Sequence, residues 1–249
     1  MVTPNTNLVR RLKERNSDAW LELWEVFGPA IERMVASIAK RYFSPETVQD
    51  LRQETLLQVF ARIEDFDTRR GANFSTWLYA IARHIVCAEI ARRNALKRNR
   101  GLKPLSLGDV LDLDGGAASP AAEFEKQVFR AKVYHAIRLV ERRSDFLEFE
   151  VYKMKVSRPI KAVEIAAILG ISEAGVSRHL RKVRERLRET LRQVVREYSW
   201  TQDEVEEIEK HRLDGDDELF DSALGDIYAA VEEEQKRHHH PVRTVQGRA

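Results

Sequence analysis

The spacing of Val176, Leu180, Val183 and Leu187 constrains this chain more than any other feature. Intervals of four, three and four residues put these side chains on one narrow stripe of an α-helix, because each residue turns the chain by about 100°. The opposite face carries Ala174, Arg178, Arg181 and Glu185, flanked by Ser177 and Lys182. Just before it, Ala162–Leu169 reads as a shorter helix with Val163, Ile165, Ala166 and Leu169 as apolar positions. Gly170 suits the left-handed end of that helix, and Ile171 fills the angle to the next. Ser172 is a good N-cap, with Glu173 in the positive first turn. A short helix, a glycine turn and a basic second helix make the pattern of a helix-turn-helix that reads duplex DNA. The plainer alternative is two surface helices of any helical protein. The Gly-Ile-Ser turn and the density of Arg and Lys favour DNA. Arg178 and Arg181 are placed to reach guanine edges, and Lys182, Arg184, Arg186 and Arg188 to meet phosphates or water.

The rest of the chain also reads as helix, which predicts an all-α protein. Among 249 residues there are only 11 Gly and 7 Pro, too few for a turn-rich β fold. Asn16-Ser17-Asp18 caps a helix carrying Ala19, Trp20, Leu23, Val26 and Phe27, and Gly28-Pro29 is expected to interrupt or kink it. Ser44-Pro45-Glu46 restarts a helix with Pro near its first position. After a break at Asp67–Gly71, Phe74 opens another helix to about Arg93. Residues 99–121 gather Gly, Pro and Ser and read as a flexible linker, with a short helical turn at 105–113. Helix resumes at Ala122, breaks at Ser157-Arg158-Pro159, and continues to about Tyr198. The expected organisation is two small helical domains, 6–98 and 122–198, joined by that linker, with an extension over 199–249.

Several function classes are excluded. No run approaches the roughly 20 apolar residues of a membrane span, so no membrane partner is expected. The N-terminus lacks the apolar core of a secretory signal. A single cysteine, Cys87, allows no intramolecular disulfide framework, which fits a reducing, cytoplasmic setting. It lies in a helical stretch and reads as packed rather than reactive. No phosphate-binding glycine loop, nucleophile elbow or His-Glu-x-x-His pattern occurs, so neither catalysis nor a cofactor is expected. His238-His239-His240 reads as a solvated or appended run rather than a metal site.

Two helices in the first half carry less ordinary features. On the helix from Pro45, Leu56, Val59, Phe60 and Ile63 share one face. Leu51 falls about 140° from Leu56, on the polar side with Asp50, Glu54 and Gln58. An apolar side chain ringed by acids is either a contact for a basic partner or an exposed leucine of no consequence. On the helix from Phe74, Trp77, Leu78, Ile81 and Ile85 form one stripe, while Tyr79, Val86 and Ile90 lie on the other side. Arg83, Arg92, Arg93, Lys97, Arg98 and Arg100 follow. Aromatic rings beside a basic run suit single-stranded nucleic acid, on which bases stack while cations track phosphates. Trp77 is better read as core, and Tyr79 is the more open ring.

The order of these parts resembles a known family. Asp50-Leu51-Arg52-Gln53-Glu54-Thr55, Phe66-Asp67, Arg70-Gly71 and Phe74-Ser75-Thr76-Trp77-Leu78-Tyr79-Ala80-Ile81-Ala82-Arg83 resemble region 2 of bacterial extracytoplasmic-function sigma factors. Val163–Ser172, continuing through Val176 and Leu180, resembles their region 4. The resemblance implies that the helix with Asp50, Leu51, Gln53 and Glu54 docks on core RNA polymerase, which would give Leu51 a contact. It implies that the helix from Phe74, with Tyr79, Arg83 and His84, opens and reads the promoter −10 element as single strand. The second helix of the late motif, with Ser177, Arg178, Arg181 and Lys182, would read the −35 element as duplex. Promoter DNA and core polymerase are the implied partners, and an anti-sigma regulator is a further one the family allows. His84, Ala88, Gly175 and Ser177 depart from residues frequent in the family, so promoter sequences do not carry over. Two rival readings remain: a helix-turn-helix regulator that does not bind core polymerase, and a helical interaction protein without DNA.

The extension stands apart in charge. Residues 1–198 carry 36 basic and 26 acidic side chains, residues 199–249 carry 6 and 14. A basic body with an acidic tail makes a nucleic-acid partner plausible for the body. Within the tail Leu219, Phe220, Ala223, Leu224, Ile227, Tyr228 and Val231 recur at helical spacing. A disordered acidic tail needs no such stripe. The Arg-rich helix at 178–196 is the nearest basic surface, so the tail is expected to fold back on it and compete with DNA until polymerase or a signal releases it. A solvated tail and docking on a separate regulator are the alternatives.

Overall fold

In the computed structural model, residues 7–39, 42–67, 74–99, 120–157, 160–199 and 202–238 are described, and among them no strand occurs. The helices are α1 (Asn7–Lys13), α2 (Ser17–Ala39), α3 (Pro45–Arg62), α4 (Phe74–Asn99), α5 (Pro120–Arg143), α6 (Phe146–Ser157), α7 (Ala162–Leu169), α8 (Glu173–Glu197), α9 (Gln202–Val205), α10 (Glu207–Lys210) and α11 (Asp217–His238). The break at 68–71, the linker at 100–119 with its turn at 105–113, Arg158-Pro159 and the last two histidines lie outside the described residues.

The helices form two compact units, one of Met1–His135 with Arg192–Glu207, the other of Ala136–Leu191 with Ile208–Ala249. The boundary therefore falls within α5 and within α8. It does not fall at residue 198, where the charge changes. Residues 192–207 group with the first unit and the remaining extension with the second.

In the first unit α2, α3 and α4 pack on one another, and α1 lies on α2 and on the 3-10 turn Ile63–Asp65. The helix starts follow the local chemistry. Asn16 accepts the Ala19 N–H at 2.9 Å, and Ser44 caps α3 with Pro45 at its first position. Gly28-Pro29 does not end a helix: α2 runs through both. Val26, Phe27, Ala30 and Ile31 are all fully or nearly buried around the proline. That packing outweighs the one backbone hydrogen bond Pro29 forgoes. Phe27, Phe74, Phe66 and Trp77 form a ring cluster with centroids 5.1–5.5 Å apart in successive pairs. Trp77 is half-buried, its ring packed on Phe66 and Phe74. Tyr198 joins this unit, its ring 6.1 Å from Phe27 and its hydroxyl donating to Glu22 at 2.7 Å. Burial and the Glu22 carboxylate both push that phenol's pKa up.

The inward face of α3 differs from the one its apolar pattern predicts. Leu51, Thr55 and Val59 are buried, followed by Ile63, whereas Phe60 is 44 % exposed and Leu57 62 %. Leu51, expected on the polar surface, is only 7 % exposed. Thr55 makes this face possible: its hydroxyl donates to the Leu51 carbonyl at 2.7 Å, so a polar residue sits in the core with its hydrogen bond made inside the helix.

In the second unit α7 and α8 meet at Gly170, whose φ of 65° is the left-handed conformation that ends α7. Ser172 accepts the Gly175 N–H at 3.1 Å and so caps α8. Val176, Leu180, Val183 and Leu187 are buried, the stripe that their spacing predicts. The extension contributes α11, which packs on α6. Its Phe220, Leu224, Ile227 and Val231 are 0, 2, 8 and 4 % exposed. Each such side chain stabilises the unit by about 1.5–3 kcal/mol when fully buried. Gly225 lets α11 approach closely, since a Cβ there would stand 3.0 Å from the Val156 carbonyl oxygen.

Candidate functional site

Three surfaces carry the candidate residues. The first is the outer face of α3, where Asp50, Gln53 and Glu54 are exposed. Leu51 is not among them, so it cannot touch a partner from its buried position. Leu57, one turn beyond Glu54, is the exposed leucine of this face. Sequence reasoning passed over Leu57 because it assigned Leu56 and Phe60 to the core. The one signal was the Leu56-Leu57 pair, of which a single helix face can bury only one. Beside Leu57 lies an apolar groove of about 700 Å³, lined by Trp20, Trp24, Leu56, Leu57 and Phe60, with Arg15 and Gln53 at its polar margin. The rings of Trp20 and Phe60 are 4.7 Å apart, and the Arg15 guanidinium lies 4.2 Å over Phe60. With Leu21 60 % exposed on the adjacent helix, this is an apolar surface rimmed by charge, the kind that monomeric proteins reserve for partners.

The second surface is the outer side of α4. Arg83 and His84 are exposed there, while Tyr79 is half-buried with its ring 6.2 Å from Phe124. Further along, Arg92 and Arg93 both bond Glu89, whose carboxyl they hold below the ordinary range, Arg92 foremost. Arg93 also reaches the Thr47 hydroxyl at 2.9 Å and lies 4.5 Å over the Phe43 ring. The structure therefore brings Arg83 and His84 to solvent and ties Arg93 to α3.

The third surface is α8. Ser177, Arg178 and Arg181 are exposed. Arg181 meets only Glu185, at 3.9 Å with both side chains largely in water. Lys182 is different. It and Arg186 bond Glu148 of α6, a carboxylate 5 % exposed. Lys182 first, then Arg186, holds the Glu148 pKa below the ordinary range against the opposing effect of burial. Arg184 and Arg188 turn to α11. Arg184 bonds Asp221 through two nitrogens at 3.0 and 2.6 Å and Asp217 at 2.8 Å. Arg188 bonds Asp217 at 2.9 Å and the Gly215 carbonyl at 3.1 Å, and lies 4.5 Å over the Phe220 ring. The buried Tyr152 donates to Asp221 at 3.3 Å, and burial, then that carboxylate, raises its pKa well above the ordinary value. The four cations expected to meet phosphates or water thus have carboxylate partners inside the unit.

No group of His, Cys, Asp and Glu suited to hold a metal occurs among the described residues, and no described helix is long and apolar enough to cross a membrane. Residues 30–96, which run from the middle of α2 nearly to the end of α4, match the family described as sigma-70 region 2. No curated protein matches the chain.

Proposed function

We propose, from the premise that residues 30–96 make this chain a member of the sigma-70 family, that it is an extracytoplasmic-function sigma factor acting in the cytoplasm. It binds core RNA polymerase and directs initiation at chosen promoters. The match over residues 30–96 carries this reading, because that region contains both the α3 face and the α4 helix. Asp50, Gln53 and Glu54 supply an acidic docking face for polymerase, with Leu57 as its apolar anchor in place of the buried Leu51. An apolar anchor beside charges gives affinity by burial and register by charge. Arg83, His84 and the half-buried Tyr79 face the opened −10 strand, where cations track phosphates and the ring offers a stacking surface.

The pair α7–α8 acts as region 4, a helix-turn-helix whose second helix enters the major groove of the −35 element. Its N-terminal turns hold Ser177, Arg178 and Arg181, the position from which recognition helices reach base edges. The chain carries two modules, each of modest affinity, and polymerase makes them act together by raising their effective concentration. An anti-sigma regulator is a further partner of this reading. Transcription in vitro with core polymerase and the full chain, followed by mapping of start sites, tests it. Promoter-dependent start sites are expected. Duplex binding without any affinity for core enzyme would favour a helix-turn-helix regulator instead.

A further inference from the structure

The flank of α8 is neutralised from within its own unit. Of the six Lys and Arg side chains from 178 to 188, four bond carboxylates on other helices of the unit: Lys182 and Arg186 on Glu148, Arg184 on Asp217 and Asp221, and Arg188 on Asp217. Asp217 and Asp221 stand one turn apart on α11 and meet the two guanidinium groups as phosphate oxygens would, by short charge-assisted hydrogen bonds. We propose that α11 is a fixed phosphate surrogate. It keeps Arg184 and Arg188 off the duplex, so that DNA is met by the N-terminal turns of α8 and the sequence-independent share of affinity stays low. The inference rests on the DNA-reading role of α8 proposed above.

Two observations set this apart from a tail that competes for DNA and is released. The stripe Phe220, Leu224, Ile227 and Val231 is buried, and Gly225 sits against the Val156 backbone, so α11 is part of the core of its unit. Ser177, Arg178 and Arg181 remain exposed with α11 in place, so reading bases requires no displacement. The benefit follows from how proteins bind DNA. Non-specific affinity grows with each phosphate neutralised, whereas discrimination comes from base edges. A recognition helix with all six cations free would hold any duplex firmly and lose its ratio of specific to non-specific binding.

The test measures binding of the full chain to a duplex of random sequence across a fourfold range of salt. Asp217→Asn with Asp221→Asn leaves the two arginines without anionic partners. It is expected to steepen the slope of log affinity against log salt by about 1.8, from 0.9 per phosphate, which is about a tenfold larger change over that range. Arg184→Gln with Arg188→Gln is expected to keep the wild-type slope, because these side chains do not meet DNA. An unchanged slope in the first variant, or a slope shallower by a similar amount in the second, would overturn the surrogate and leave the DNA reading standing. Absence of duplex binding by all three proteins at the lowest salt would overturn the DNA reading, and the surrogate with it.

Discussion

Arg184 and Asp221 form a two-pronged pair, with the guanidinium Nε 3.0 Å and Nη2 2.6 Å from the two carboxylate oxygens. Both side chains are nearly out of water, at 13 and 10 % exposure. The carboxylate in turn raises the Arg184 pKa. A pair of this kind joins α8 to the extension that follows it. Removing one partner of a buried pair leaves a stranded charge, which typically costs about 3–5 kcal/mol. Asp217 also bonds Arg184, so Asp221→Ala is expected at or below the lower end of that range, measured by urea unfolding. A loss under about 0.5 kcal/mol, the size of an exposed pair, would contradict the pairing.

The α3 face separates an exposed leucine, Leu57, from a buried one, Leu51. Leu57→Arg with Glu54→Arg is expected to weaken binding to core polymerase with the melting temperature nearly unchanged, since both side chains are exposed. Leu51→Ala is expected to behave in the opposite way, losing about 2–5 kcal/mol of stability because a buried leucine leaves a cavity. Titration of core enzyme alongside thermal melts reads both. Full core affinity in the double variant would remove Leu57 and Glu54 from the interface.

Arg178→Ala is expected to relax sequence preference at one promoter position by about 1–3 kcal/mol of discrimination. Competition binding against a panel of single-base variants measures it. An equal loss on every sequence would make Arg178 a phosphate contact instead.

Glu148 gives the second unit an acid limit. Its folded pKa lies below the ordinary carboxylate value of 4.5, so its two ion pairs contribute fully above that pH. Their contribution falls away as pH drops through 4.5 toward the depressed folded value. Glu148→Gln is expected to lower stability at pH 7 by about 1 kcal/mol, with the gap to wild type closing in acid. Lys182 and Arg186 are partly exposed and regain water, which keeps the loss small. A gap that stays constant down to pH 3 would show that the carboxylate's charge is not what matters.

Local signals in the chain were sufficient for the elements themselves. The caps at Asn16, Ser44 and Ser172, the left-handed turn at Gly170 and the stripe from Val176 to Leu187 all depend on residues within about four positions of one another. The apolar stripe of the extension was legible for the same reason, and it turned out to be buried. Tertiary structure decided which way the ambiguous faces turn. Leu51 or Leu57 was a choice that α3's own pattern settles weakly, because Thr55 looks polar until its hydroxyl finds the Leu51 carbonyl and the helix is pressed into a core. Gly28-Pro29 likewise ends a helix in isolation but not where buried side chains hold both sides. The fate of the arginines was the least local question. Asp217 and Asp221 lie 33 and 37 residues from Arg184, and a guanidinium suits phosphate, water and carboxylate alike until packing brings one of them within reach.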